Sequence, residues 1–165
     1  MAKKPIQSAT AQNQQAPAPT GPLKCGDVQV YSKMQKRATN RQQRDHVPAT
    51  NSMLAAADAK PGYYDGLSAK TKTCIKNGIR SDALTIAIPK QVHRQRSRTC
   101  CNKGGQARVN EDIKDLKKAA EDDFKEVEPG LSDDCKKKYE EAKKKVLEQL
   151  PDKLFDEVKA KCLAK

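Results

Sequence analysis

Leu84-Thr85-Ile86-Ala87-Ile88-Pro89 (residues 84–89) is the segment of the sequence with the strongest strand pattern. β-Branched and small side chains alternate along it, over a length typical of a strand. Pro89 ends the pattern because proline lacks the N–H group that a strand donates. The chain then enters a basic segment that contains His93, and we expect this histidine at the end of a strand or the start of a helix, where functional side chains commonly lie.

A second segment, Arg44-Asp45-His46-Val47-Pro48, contains the other of the two histidines. Pro48 biases Val47 towards an extended conformation, which predicts that the Asp-His pair ends a strand or a turn. A carboxylate can bind a hard cation while the neighbouring imidazole takes a proton from water, and this is the chemistry of metal-assisted hydrolysis. The alternative is an Asp-His dipeptide on the surface of a polar loop.

Together the two segments resemble a toxin domain found at the C-termini of bacterial polymorphic and type VI secretion effectors, a variant of the HNH/endonuclease VII group of ββα-metal nucleases. The resemblance covers about residues 35–120 and rests on five features: residues 44–49, the alanine-rich helix after them, residues 85–89, His93, and Ser97-Arg98-Thr99. It departs from a strict HNH pattern in having no third histidine, and the asparagines available for that position are Asn51, Asn77, Asn102 and Asn110.

This resemblance implies an α+β fold, with a small ββα-metal nuclease core, and a metal-dependent endonuclease that acts as an antibacterial toxin. His46 is then the general base, Asp45 and His93 hold a divalent cation, and Arg98 contacts the phosphate. Mg²⁺ or Mn²⁺ is favoured as the cation, with Zn²⁺ or Ni²⁺ as the other options. DNA is the expected substrate because the resembled group mostly cuts DNA, and RNA stays open. The competing hypothesis is a non-catalytic basic protein that binds nucleic acid.

The formal charge of +12 is concentrated around the two histidines. Residues 1–24 carry +3, residues 25–105 carry +10 and residues 106–165 carry −1. A surface of this charge favours a polyanion as partner, because Lys and Arg contacts with phosphates release counterions. A solvated basic surface is the alternative. The residues predicted to contact nucleic acid are Arg37, Arg41 and Arg44, read as one side of a helix over residues 35–44, and Arg94 and Arg96.

Composition divides the chain into three predicted segments. Residues 1–24, rich in Ala, Gln and Pro, are typical of a disordered linker; residues 25–108 form the basic nuclease-like core; residues 109–165 form a C-terminal helical segment. Lys3 and Lys4 precede no apolar stretch, so we expect no signal peptide and delivery by a secretion apparatus into the cytoplasm of a target bacterium. A toxin also implies an acidic cognate immunity protein. No membrane span is expected, since none of the apolar runs approaches about 20 residues.

Spacing and turn residues predict the helices. A strand is expected over residues 28–34, a helix over residues 52–59, and a helical turn over residues 70–79 that ends at Asn77-Gly78. Apolar residues at steps of three and four predict one amphipathic helix over residues 109–127, capped by Asn110. Two further helices are expected after Ser132 and Pro151, and the three helices form a small bundle.

The six cysteines show no C-x-x-C spacing, so a structural zinc site is not favoured. Cys135 and Cys162 lie near opposite ends of consecutive predicted helices, and their thiols can meet if those helices are antiparallel. A disulfide there would suit a protein that works or travels outside a reducing cytosol. Buried free thiols are the alternative.

Overall fold

The computed structural model describes residues 20–165, so most of the predicted N-terminal linker lies outside the described residues. The strands in this part of the chain are β1 (Val28–Val30), β2 (Gln42–His46) and β3 (Leu84–Pro89). The α-helices are α1 (Tyr31–Met34), α2 (Thr50–Ala59), α3 (Ala69–Asp82), α4 (Lys90–Arg96), α5 (Gly105–Asp112), α6 (Leu116–Val127), α7 (Asp133–Gln149) and α8 (Asp152–Leu163). Short 3-10 helices lie at Cys100–Asn102 and Glu128–Gly130.

β3 is the central strand of a three-stranded antiparallel sheet with the order β1-β3-β2. Ile86, Ala87 and Ile88 are each 0% exposed, because this strand is covered on both faces. The register pairs Asp45 with Ile86 and His46 with Thr85. The strand predicted from the alternating pattern is therefore confirmed, and its pairing with β2 fixes the position of the Asp-His segment.

One hydrophobic core joins the sheet to the helices. It includes Ile79 and Ile86 from the N-terminal half and Tyr139 and Phe155 from the C-terminal helices, so residues on either side of position 108 pack into the same core. α3 approaches α8 closely at Gly78, where an added Cβ would lie 2.5 Å from Val158 Cγ1. The mixed helix and sheet architecture confirms the predicted α+β class.

All six cysteines are in disulfides, and the suggested pairing of Cys135 with Cys162 is wrong. Cys135 of α7 bonds to Cys25 before β1, and Cys162 of α8 bonds to Cys74 of α3. The adjacent Cys100 and Cys101 are also bonded. α7 and α8 therefore each attach to the N-terminal half of the fold. Cross-links between such distant positions restrict the unfolded chain strongly.

Several predicted element boundaries are also wrong. The segment before β2 is not a basic helix: Asn40 and Arg41 adopt left-handed φ values of 45° and 64°, and pairing with β3 begins at residue 42. The strand predicted over residues 28–34 ends at Val30, and α1 begins at Tyr31. The helix predicted to stop at Asn77-Gly78 continues to Asp82 as α3. In α1 and α3, packing against the rest of the fold outweighs the local conformational preference of the residues.

The C-terminal helical segment is close to its prediction. The expected long helix over residues 109–127 is divided into α5 and α6, because Asp115 caps α6 by accepting from the Lys118 amide over 3.0 Å. Ser132 caps α7 as predicted, accepting from the Cys135 amide over 3.4 Å. Within residues 20–165, no helix is both long and apolar enough to cross a bilayer.

Candidate active site

Asp45, near the end of β2, is a buried carboxylate on which three side chains converge. The Ser97 hydroxyl donates to Asp45 Oδ1 over 3.2 Å, and the Thr99 hydroxyl donates to the same oxygen. Nε2 of His93 lies 3.3 Å from Oδ1. The other oxygen, Oδ2, is buried and has no hydrogen-bond partner in the described part of the chain. Because buried carboxylates are normally satisfied on both oxygens, Asp45 is the first candidate for a functional residue.

These residues meet because β3, α4 and the turn after α4 follow one another directly. α4 begins at Lys90, immediately after the strand, and has only seven residues, so His93 lies beside the β2–β3 pair. Ser97 then leaves the helix in an extended conformation, with its amide donating to the His93 carbonyl over 3.2 Å. The Thr99 amide donates to the Ser97 hydroxyl over 3.1 Å. The chain from residue 93 to residue 99 therefore curves around Asp45.

His46 lies on the opposite face of β2 from Asp45, because successive side chains of a strand alternate. Its ring lies against Tyr31, with 4.5 Å between the ring centroids, and its Nε2 is buried with no partner among the described residues. Burial lowers the pKa of His46, and a hydrogen bond with the backbone of Arg80 opposes this only in part. The structure thus brings Asp45 and His93 together and separates the predicted general base, His46, from both.

Two further buried aspartates form a cluster with arginines next to this pair. Arg98 places Nη2 3.3 Å from Asp112 Oδ1 and Nη1 3.6 Å from Asp123 Oδ1. Arg108 places Nη1 3.4 Å from Asp112 Oδ2, which also accepts from the Ser52 hydroxyl over 2.7 Å. Arg98, predicted to contact the phosphate, is therefore held between carboxylates, and its contact with a phosphate stays a prediction.

Asp123 is the carboxylate of this cluster with the most unusual surroundings. Neither of its oxygens has a hydrogen-bond partner in residues 20–165, and burial raises its pKa to about 8 against the opposing effect of Arg98. Burial likewise raises the pKa of Tyr139, whose hydroxyl has no partner in the same range. Because burial favours the neutral form of Asp123, the guanidinium groups of Arg98 and Arg108 are paired mainly with one carboxylate, that of Asp112.

Two of the predicted nucleic-acid contacts are used inside the protein. Arg37 forms a 2.6 Å ion pair with Asp27, and its side chain is only 8% exposed. Arg44 donates to the carbonyls of Met34 and Gln35 over 3.1 and 3.2 Å, and to the Arg37 carbonyl over 2.6 Å. These arginines hold the segment before β2 in place. Their guanidinium groups do not form the basic stripe that a helix over residues 35–44 would have presented.

The other three predicted contacts are exposed and lie at or near α4. Arg41 and Arg94 line a recess of about 620 Å³, together with Pro89, Lys90, Gln91 and Gln95. Arg96 passes over Gly130, where an added Cβ would lie 2.8 Å from Arg96 Cδ. We call Arg41, Lys90, Arg94 and Arg96 the α4 basic surface. A concave surface of this charge suits a phosphate backbone.

Sequence reasoning gave no role to Ser97 and Thr99, which hold Asp45, or to the two aspartates of the buried cluster. Ser97 and Thr99 belong to the segment that carries the family resemblance, but a hydroxyl gives no pattern of its own. Asp123 does have a sequence signal. It lies three and four residues after Ala120 and Ala119, within the buried stripe of α6. A carboxylate at an apolar position of an amphipathic helix must be neutralised or paired, so it identifies a candidate functional residue.

Asp45 and His93 are the described residues best placed to hold a cation. Two ligands at ~2.1 Å from one ion lie ~3.0–3.4 Å apart, depending on its geometry. The 3.3 Å between Nε2 and Oδ1 fits this range, and Oδ2 supplies a further hard oxygen. Residues 20–165 contain no group of three or more His, Cys, Asp or Glu side chains suited to a metal. A cation here would therefore complete its shell with water and phosphate oxygens, as Mg²⁺ usually does.

Comparison of the chain with known protein families, with characterised proteins and with solved structures finds no match. The resemblance to ββα-metal nuclease toxins therefore stays a prediction from the residues that carry it.

Proposed function

We propose that this chain is a metal-dependent nuclease that hydrolyses phosphodiester bonds in DNA, with Asp45 and His93 at its centre. The observation that carries the proposal is the 3.3 Å contact between a buried carboxylate and a partly exposed imidazole, whose side chain is 14% exposed. Carboxylate and imidazole are both ligands of divalent cations. The α4 basic surface, which includes the next residue after His93, would attract the substrate.

The order of secondary-structure elements also supports this proposal. β2 and β3 are antiparallel neighbours in the sheet, although α2 and α3 lie between them along the chain, and α4 follows β3 without a loop. Asp45 comes from the first strand of this pair and His93 from the helix. A pair of antiparallel strands followed by a helix, with ligands on the first strand and the helix, is the arrangement implied by the ββα-metal resemblance.

Each residue of the centre has a separate task in this proposal. Ser97 and Thr99 fix the orientation of Asp45 by donating to Oδ1, and Oδ2, which has no partner in residues 20–165, adds a second oxygen that can bind a ligand. His93 supplies a nitrogen at the accessible side. A bound divalent cation would neutralise phosphate charge and lower the pKa of a water. The proposal assigns no role at this centre to His46, which lies on the other face of β2.

The same contact favours one alternative. His93 can act as a general base without a metal if Asp45 orients its ring and stabilises the charge that the ring acquires. Cleavage by such a pair is insensitive to chelators, and RNA is then the better substrate because its 2′-hydroxyl supplies the nucleophile.

The test is cleavage of supercoiled plasmid and of a structured RNA by the purified oxidised protein, in Mg²⁺ or Mn²⁺ and again with excess EDTA. Cleavage of plasmid that EDTA abolishes supports the metal-dependent nuclease. Cleavage that survives EDTA selects the metal-free alternative. Retardation of either nucleic acid with no cleavage under any condition contradicts both and leaves a binding protein. The Arg94→Gln and Arg96→Gln double variant, which removes charge from α4, should weaken binding uniformly across sequences and reduce its salt dependence.

The biological role that we propose follows from this activity. The protein would be an antibacterial effector that a secretion apparatus delivers into a target cytoplasm, and an acidic immunity protein would cover the α4 basic surface in the producing cell. Three disulfides agree with passage through an oxidising environment. Expression of the chain in a bacterial cytoplasm should therefore be toxic, and His93→Ala should relieve the toxicity. High-level expression without harm would count against the role.

A further inference from the structure

A recess of about 350 Å³ lies beside the Asp45–His93 pair, at the start of α2. Its lining residues are Ala49, Thr50, Asn51, Thr99, Asn102 and Arg108. Thr99 connects the recess to the pair, because its hydroxyl donates to Asp45 Oδ1. None of the lining residues is acidic. The recess is therefore a separate polar cavity, and the side chain of Thr99 lies between it and Asp45.

The residues at the start of α2 that line this recess include backbone donors without a partner in the described part of the chain. Ala49 is the N-cap residue, so α2 lacks the capping side chain that most helices have, and its first turn has no acidic residue. The amides of Ser52 and Met53 both donate to the Ala49 carbonyl. The amides of Thr50 and Asn51 have no partner in the described part of the chain. Together with the helix dipole of this ten-residue helix, such amides attract an anion.

Arg108 supplies a positive charge that is already buried at the same place. Its side chain is 8% exposed, and its Nε is buried with no hydrogen-bond partner in residues 20–165. Its ion pair with Asp112 does not neutralise it fully, because Asp112 also pairs with Arg98. A buried guanidinium with a spare donor is costly unless something accepts from it.

The surrounding fold holds Arg108 at the recess. Ser52 of α2 donates to Asp112 of α5, which ties α5 to the first turn of α2 with Arg108 beside it. Gly104, in a left-handed conformation with φ of 74°, precedes α5 and leaves room for the arginine, since an added Cβ would lie 2.8 Å from Arg108 Cβ. Asn102, also left-handed with φ of 58°, adds an amide side chain from the other side.

We propose that this recess binds a phosphate group through the amides of Thr50 and Asn51 and the guanidinium of Arg108. Resting on the proposed nuclease function, the ligand is a backbone phosphate of the substrate next to the one that is cut. The recess would then position the strand relative to Asp45 and His93, while the α4 basic surface attracts it less specifically. Backbone amides and arginine together match the tetrahedral oxygens of phosphate.

The test is a titration that does not depend on cleavage. Inorganic phosphate is titrated into the oxidised, isotopically labelled protein, and the backbone amide shifts are followed by NMR. A single-stranded oligonucleotide is then titrated into the His93→Ala variant by calorimetry. We expect phosphate to shift the amides of Thr50 and Asn51 saturably. Asn51→Asp should weaken phosphate binding by about tenfold or more, since it places a negative charge beside the ligand.

Asn51→Asp is the preferred variant because an aspartate in the first turn stabilises a helix, so weaker binding cannot be blamed on unfolding. Asn110→Asp makes the same chemical change at an exposed position of α5 and should leave binding within about twofold. Arg108→Gln provides a second variant at the recess. Phosphate affinity unchanged in both Asn51→Asp and Arg108→Gln, or shifts confined to other amides, overturns the proposal. Saturable binding here without plasmid cleavage keeps the recess and rejects the nuclease; cleavage without such binding does the reverse.

Discussion

The two faces of β2 place adjacent residues in opposite surroundings. On one face Asp45 accepts from Ser97 and Thr99, with His93 3.3 Å away. On the other face His46 packs against Tyr31 and has a lowered pKa. In a strand, the residue next to a functional side chain is the one least able to join it, because alternation points the two side chains apart. We assign the proposed catalytic centre to the Asp45 face, and the His46 side chain on the other face contributes to packing.

The largest effect is expected from Asp45→Asn, which keeps the shape of the side chain but removes its charge. Plasmid cleavage should fall by at least about 10²-fold, because the loss of a ligand exceeds the usual effect of losing a ligand's partner. Asp65→Asn makes the same change in an exposed loop and should cleave at the parental rate. Initial nicking rates at equal protein concentration measure both variants. Equal rates for Asp45→Asn and the parent would show that the catalytic centre does not lie on this face of β2.

Thr99→Val removes a hydroxyl that contacts Asp45 and leaves the volume of the side chain almost unchanged. We expect cleavage to fall by about 10- to 100-fold, since residues that orient ligands have effects of this size. Thr73→Val, at an exposed position of α3, is the matched control. The same nicking assay measures both. A loss shared by the two variants would point to a general effect of the substitution rather than to the orientation of Asp45.

How far the sequence predicts this molecule depends on the range of the interactions involved. The β3 strand, the α2 helix and the Ser132 cap follow from local patterns and are confirmed. The basic stripe over residues 35–44 is wrong because pairing with β3, about 45 residues later, forms a strand there instead. Asp45 and His93 were both selected from sequence as ligands, yet only the register of β2 shows that His46 faces away from them.

The buried cluster illustrates the same limit. The contacts of Arg98 with Asp112 and Asp123 depend on how the turn after α4 packs against α5 and α6. Side chains from three separate elements meet there, and each of them reads as an ordinary charged residue in sequence. Asp123 interrupts the apolar stripe of α6 and so gives a local signal, and Asp112 lies likewise at a buried position of α5.

Asp123→Asn should remove a pH dependence of stability that arises on the Asp45 side of the fold. Because burial raises the pKa of Asp123 from 3.8 to about 8, the folded protein keeps a proton that the unfolded chain has released, and stability falls as pH rises through this window. We expect the variant to gain about 3–4 kcal/mol over the parent at pH 8 relative to pH 5. Urea unfolding of the oxidised proteins at the two pH values measures this difference. A stability difference that is the same at both values contradicts the assignment.

His46→Phe should show a smaller pH dependence with the opposite sign. The pKa of His46 is lowered from 6.5, so below pH 6.5 the unfolded chain gains a proton that the folded protein does not, and stability falls as pH falls. Phenylalanine cannot protonate and can pack against Tyr31. The variant should therefore gain stability relative to the parent as the pH is lowered from about 7.5 to about 5. Urea unfolding at the two pH values measures this difference. The same change in unfolding free energy with pH in the variant and the parent would contradict the prediction.

We propose a nuclease centre that lies on the Asp45 face of β2 and includes His93 but not His46. The most direct measurement is the nicking rate of His93→Ala beside that of His46→Phe, with both variants shown to be folded by thermal unfolding. We predict that His93→Ala loses at least about 10²-fold in rate and that His46→Phe stays within about threefold of the parent. A large loss in His46→Phe together with parental cleavage by His93→Ala would contradict the account.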